Sequence, residues 1–76
     1  MYITITVEAE GRRYRVSIDE RQHVSAAHAI LMEHGFVKGG AVPALYKSAL
    51  LEEWVSAGLA FEEQGIVSGD LLTAQE

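Results

Sequence analysis

Residues 59–74 read Leu-Ala-Phe-Glu-Glu-Gln-Gly-Ile-Val-Ser-Gly-Asp-Leu-Leu-Thr-Ala. An apolar anchor, Phe61, precedes the acidic turn Glu62-Glu63-Gln64. Gly65 and Ile66 follow, then a tight Ser68-Gly69-Asp70 turn and the apolar pair Leu71-Leu72. Gly65 and Gly69 stand where such turns need positive φ, which a residue without Cβ adopts freely, and Asp70 can cap the backbone. The order predicts a 3₁₀-like turn, a buried Ile66 and a closing strand. No reactive group accompanies it, so the stretch speaks to fold and not to chemistry.

The opposite end of the chain is as regular. In residues 2–7, Ile3, Ile5 and Val7 alternate with Tyr2, Thr4 and Thr6; in residues 13–18, Tyr14, Val16 and Ile18 alternate with Arg13, Arg15 and Ser17. Period two with β-branched residues predicts two half-buried strands, and the intervening Glu8-Ala9-Glu10-Gly11-Arg12 holds one Gly suited to a hairpin turn. A helix is predicted from Val24 to His34, with His23 or Ser25 as the candidate cap and Gly35 in the left-handed position past its end. Its apolar stripe runs through Val24, Ala27, Ile30 or Leu31, and His34, and packs across one face of the sheet. Residues 36–43 form a connection. Its Gly39-Gly40 lacks the spacing of either glycine-rich phosphate motif and reads as punctuation.

Residues 44–58 admit two readings. Propensity alone allows a helix between Pro43 and Gly58. Leu45, Tyr46, Leu50, Leu51, Trp54 and Val55 then point all round it, which a small domain cannot bury. Two short strands, around 45–50 and 53–56 with a turn at Glu52-Glu53, dispose of these side chains more economically.

The resulting order is β-hairpin, helix, two short strands, 3₁₀ turn and last strand. It resembles ubiquitin-like proteins over nearly the whole chain. The opening Met-Tyr-Ile-Thr-Ile-Thr-Val-Glu and the ending from Gln64 to Ala74 are similar to the termini of the bacterial YukD/EsaB group, small ubiquitin-like components of type VII secretion systems. Residues 23–35 match that group's helix in position. The resemblance implies an α+β, ubiquitin-like β-grasp fold, with a mixed four- to five-stranded sheet packed on one helix. Fold does not imply function, least of all for a scaffold this widely reused.

Composition narrows the classes of activity. The 76 residues are too few for two cores, so residues 1–76 are expected to form a single ubiquitin-like domain. Without cysteine it has no disulfide, thiolate ligand or thiol nucleophile, and packing alone must supply a stability of roughly 3–5 kcal/mol. No apolar run approaches a membrane span and no leader opens the chain, so a cytoplasmic protein without membrane insertion is expected. Residues 1–38 balance five cations against five acids, whereas residues 39–76 carry Lys47 against six acids and hold all of the net charge of −5. An acidic chain repels phosphate backbones, and nucleic acid is not an expected partner.

Catalysis finds no support. His23, His28 and His34 are spaced five and six apart, not at the i,i+3 or i,i+4 of a zinc-binding helix, and His34 suits the helix C-terminus. Glu52-Glu53 and Glu62-Glu63 are adjacent pairs whose members point apart, and no serine lies in a nucleophile elbow. No catalytic residue, metal or cofactor is expected.

The remaining readings are a non-enzymatic module that binds a protein partner, a small accessory subunit of a larger enzyme, and a ubiquitin-like modifier or sulfur carrier. The last needs an extended Gly-Gly tail to thread an activating site, and the chain ends Thr73-Ala74-Gln75-Glu76. It is the weakest of the three. For a binding module the sheet face left open by the helix is the expected surface, offering Thr4, Thr6, Arg13, Arg15, Leu71 and Thr73. Successive strand residues alternate, so Leu71 and Leu72 cannot both point inward; the resemblance to the ubiquitin pattern implies that Leu72 and Ala74 go in and Leu71 goes out. One of Leu45 and Tyr46 should join Leu71, and Tyr46 is the candidate, because aromatic and Arg residues are enriched at binding hot spots.

Overall fold

A computed structural model of the chain describes residues 1–38 and 42–75. Strands β1 (Tyr2–Ala9) and β2 (Arg12–Asp19) lead into helix α1 (Val24–Glu33). Strands β3 (Leu45–Ser48) and β4 (Glu53–Ser56), a 3₁₀ turn (Glu62–Gln64) and strand β5 (Leu71–Ala74) complete the order. The sheet runs β2-β1-β5-β3-β4, with β1 and β5 parallel and the other neighbours antiparallel. This mixed five-stranded sheet with one helix is the ubiquitin-like β-grasp arrangement.

The first hairpin forms because its turn twists the right way. Glu10 (φ 53°) and Gly11 (φ 75°) are both left-handed, and Ala9 pairs with Arg12 across them. Two positive φ values in a two-residue loop match the twist of the flanking strands. Ile3, Ile5, Val7, Val16 and Ile18 then enter the core, where Val24, Ala27 and Leu31 of α1 meet them. Phe61, Ile66 and Leu72 belong to the same core, and Ile66 is 2% exposed, as the reading of residues 59–74 expects.

Residues 44–58 are two strands, and the alternation is the reason. Tyr46, Ser48 and Val55 are buried while Leu45, Lys47 and Trp54 are exposed. The turn is not at Glu52-Glu53: β3 stops at Ser48, the turn occupies Ala49–Glu52, and Glu53 already pairs with Ser48. Glu52 takes the left-handed conformation (φ 57°) and its N–H donates to the Ser48 carbonyl at 2.9 Å.

Two details of α1 also differ from expectation. Neither His23 nor Ser25 caps it by a side chain; instead the N–H groups of Val24 and Ser25 donate to the carbonyls of Leu59 and Ala57 at 3.0 and 2.9 Å. The first-turn donors that a helix leaves unpaired are thus met by a distant loop. The stripe runs through His28 rather than His34: His28 is buried with Val24, Ala27 and Leu31, while His34 is exposed and stacks on Phe36 at 6.1 Å. The helix ends one residue early, so position 34 falls outside its packed face. Gly35 is left-handed (φ 74°), as its place past the helix predicts. Gly39-Gly40 lies outside the described residues.

Candidate protein-binding face

With α1 on one side of the sheet, the other side is built by the alternate residues of each strand. Register sets a row across all five strands, Arg13–Glu8–Thr73–Lys47–Trp54. A second row runs Arg15–Thr6–Leu71. Thr4 lies beyond it, opposite Ser17. Six of the seven residues expected on this face are therefore together on it. Thr4, Arg13 and Arg15 are exposed, while Thr6, Leu71 and Thr73 are half-buried by their neighbours.

Tyr46 is not on the face. At 1% exposure it is a core residue, and its ring lies 6.4 Å from that of His28 on α1. The strand Leu45-Tyr46-Lys47-Ser48 shows why: alternation puts Leu45 and Lys47 on one side and Tyr46 and Ser48 on the other. The phase was available in the lysine, since a charged side chain takes the wet side. Burial pushes the Tyr46 phenol up to about 12 and the His28 imidazole below its ordinary value.

Lys47 and Trp54 are the residues that sequence reasoning missed. Lys47 Nζ stands 5.4 Å from the Trp54 ring centroid, and the indole is 51% exposed. Such a cation over an aromatic face holds both side chains in place at a modest energetic gain. A large apolar residue reads as core by type alone, so only the pairing of Lys47 with Trp54 reveals it. Glu8 is the third addition; its Oε1 accepts from Arg13 Nε at 2.8 Å. Arg15 has no ion pair among the described residues.

The two rows thus carry three cations against Glu8, in a chain of net charge −5. The backbone beneath is rigidly held at one corner. Ser68 Oγ accepts from the Thr4 N–H at 3.0 Å and donates to the Thr4 carbonyl at 3.2 Å. Gly69 N–H donates to that same carbonyl at 2.8 Å. Chemically, the face offers charge-assisted hydrogen bonds, an aromatic platform and a half-buried leucine. Among the described residues no three His, Asp or Glu side chains are grouped to hold a metal ion, and no helix is long and apolar enough to cross a membrane.

No family model and no curated protein matches the chain. Among solved structures it is similar to the EccD5 ubiquitin-like domain from Mycobacterium xenopi, with a TM-score of 0.59 at 16% identity, over 99% of this chain and 93% of that one. Identity at that level speaks to the fold, which is ubiquitin-like.

Proposed function

We propose that this chain is a non-enzymatic ubiquitin-like module that works in the cytoplasm and binds a protein partner through the open face of its sheet. Its setting in this proposal is that of an accessory component of a bacterial type VII-like secretion system. The observation that carries the binding role is the row Arg13–Glu8–Thr73–Lys47–Trp54, which concentrates cations and an exposed indole on one side of an acidic protein. Aromatic and Arg side chains are the usual anchors of protein interfaces, and a partner of opposite charge gains both orientation and on-rate from such a face. The secretion setting rests on the similarity of the termini to the YukD/EsaB group and on the fold shared with the EccD5 domain.

Quantitative pull-down from the native host tests the binding role, with wild type compared against Lys47→Glu combined with Trp54→Ala. Both positions are solvent-facing, so circular dichroism should stay native. A partner recovered by wild type and lost with the double variant supports the face. Recovery that ignores the variant refutes it.

A further inference from the structure

We infer that the contact between His28 and Tyr46 is a proton-sensitive latch beneath the open face: when His28 takes up a proton, α1 and β3 part, and the Lys47–Trp54 pair on the far side of β3 is released. The latch needs no partner. Its consequence, weaker partner binding in mild acid, rests on the reading of the open face as a binding surface.

β3 is four residues long and lies between β5 and β4. Its alternation ties the two sides of the sheet together. Tyr46 enters the core, where its ring lies 6.4 Å from that of His28 on α1. Lys47, the next residue, holds its ammonium 5.4 Å from the Trp54 ring and is the register partner of Trp54 on β4. A displacement of Tyr46 therefore moves the backbone that carries Lys47, and with it the support of the indole.

The α1–β3 seam is also where hydrogen bonding is incomplete. Among the described residues, His28 Nδ1 and Tyr46 Oη are buried without a hydrogen-bond partner, in a setting where buried polar groups are nearly always paired. A neutral imidazole is the form such a site tolerates. A proton adds a charge and a second N–H donor at the same place, and burying a charge costs far more than burying a neutral polar group.

The surroundings offer that charge little relief. β1, β2, β4 and β5 bring Ile5, Val16, Val55 and Leu72 to the core. The buried carboxylate of Asp70 is engaged by Ser48, Leu50 and Leu71. On β2, the Tyr14 hydroxyl donates to the Phe36 carbonyl at 2.8 Å. On α1 itself, Glu33 and His34 are exposed. Glu10, in the β1–β2 turn, already accepts from the Lys38 N–H at 3.0 Å. Burial lowers the His28 pKa, and the charge of Glu10 opposes the shift without cancelling it. An imidazolium here gains most by reaching water, and separation of α1 from β3 is the way there. The proton favours the parted state by the ratio of the two imidazole affinities, about tenfold for each pKa unit between them.

Trp54 is the single tryptophan of the chain, so its fluorescence reports the pair without a label. Between about pH 7.5 and about pH 5.5, the histidine range, wild-type emission should shift in one reversible step. The midpoint should equal that of the His28 imidazole followed by NMR, with the Lys47 amide on the same curve and far-UV circular dichroism native throughout. His28→Gln should remove the step. His28→Leu, which suits an apolar core, should remove it too, and covers the case in which Gln disturbs the fold. His23→Gln and His34→Gln, at exposed positions, should leave it in place. Flat wild-type emission overturns the inference, as does a step that survives in the His28 variants or coincides with loss of the dichroism signal. Partner recovery from the native host should fall about threefold or more at the lower pH in wild type and hold steady in His28→Leu; equal recovery at both pH values overturns the consequence for binding. Recovery indifferent to Lys47→Glu with Trp54→Ala refutes the open face and leaves the coupling standing, whereas flat emission with face-dependent recovery refutes the coupling and spares the face.

Discussion

In the β1–β2 hairpin each strand runs eight residues, and the turn between them is Glu10-Gly11, whose own φ values suit the strand twist. In the β3–β4 hairpin each strand runs four residues, and the turn at Ala49–Glu52 is held from outside. Asp70, fully buried at the start of β5, accepts from Ser48 Oγ, from the Leu50 N–H at 3.1 Å and from its neighbour Leu71 at 2.7 Å. Gln64 pins the far end at Ser56. The first hairpin carries its instructions locally. The second borrows them from residues that follow it in the chain, so it should be the first part of the sheet to open.

The largest effect should erase the contrast. Ile66 belongs to the core that both hairpins share. Ile66→Ala is expected to cost about 2–5 kcal/mol, the range for truncating a large buried aliphatic residue. Denaturant melts should show that loss, and exchange protection should fall in both hairpins together. A loss under about 1 kcal/mol would mean that the packing around residues 59–74 is not as described.

Asp70→Ala should sharpen the contrast instead. It strands the buried Ser48 hydroxyl and the N–H groups of Leu50 and Leu71, at a cost of about 2–4 kcal/mol for the three lost bonds. Exchange should accelerate in β3 and β4 while β1 and β2 keep their protection. Asp70→Asn, which keeps an acceptor oxygen, should recover part of the loss. Uniform acceleration across the sheet would show that the second hairpin does not depend on this carboxyl.

Gly11→Ala probes the locally encoded turn. No atom lies within 4 Å of the added Cβ, so only the left-handed backbone resists it. The expected cost is about 1 kcal/mol, confined to the β1–β2 turn, with the midpoint of a urea melt as the readout. A turn this local should not disturb Asp70 or the hairpin it holds.

The smallest effect is a pH dependence seated under the second hairpin. Burial lowers the His28 pKa from its ordinary 6.5, the charge of Glu10 pulling the other way. The unfolded chain therefore binds a proton at higher pH than the folded one. Stability is full above the unfolded value and falls as pH drops through 6.5 toward the folded one. Asp19 does not interfere in this window: hydrogen bonds from Arg21 hold its carboxyl far below the usual carboxylate range, so its contribution is lost only at much lower pH. Urea midpoints measured on either side of the histidine range should converge in His28→Gln and diverge in wild type, with β3 the first strand to lose protection because Tyr46 packs on His28. Identical pH dependence of the two proteins would remove His28 from the account.

The two hairpins also differ in how far they could be read. For β1 and β2 the inward residues followed from alternation; in β5 alternation said only that Leu71 and Leu72 point apart, and the resemblance to the ubiquitin pattern chose Leu72 as the inward one. In residues 44–58 the helix and strand readings competed because a dense apolar stretch fits either period. The sequence reading puts Tyr46 on the open face; the charge of Lys47, one residue on, sets the opposite phase, with Tyr46 buried and Leu45 exposed. Trp54 could not be placed on the face by type. Its position is a consequence of the register of β4 on β3.

Sequence by itself determined the kind and order of the elements outside residues 44–58, a hairpin turn within residues 8–12, the left-handed glycines at 35, 65 and 69 and the burial of Ile66. These depend on side-chain period and on the φ freedom of single residues, which are local properties. Tertiary structure alone decided that His28 and not His34 meets the core, that loop carbonyls and not a side chain cap α1, that Asp70 and Gln64 hold the second hairpin, and that Arg13, Glu8, Thr73, Lys47 and Trp54 form one row. Each of those joins groups from separate elements, and only strand register and the seating of the helix bring such groups within reach of one another.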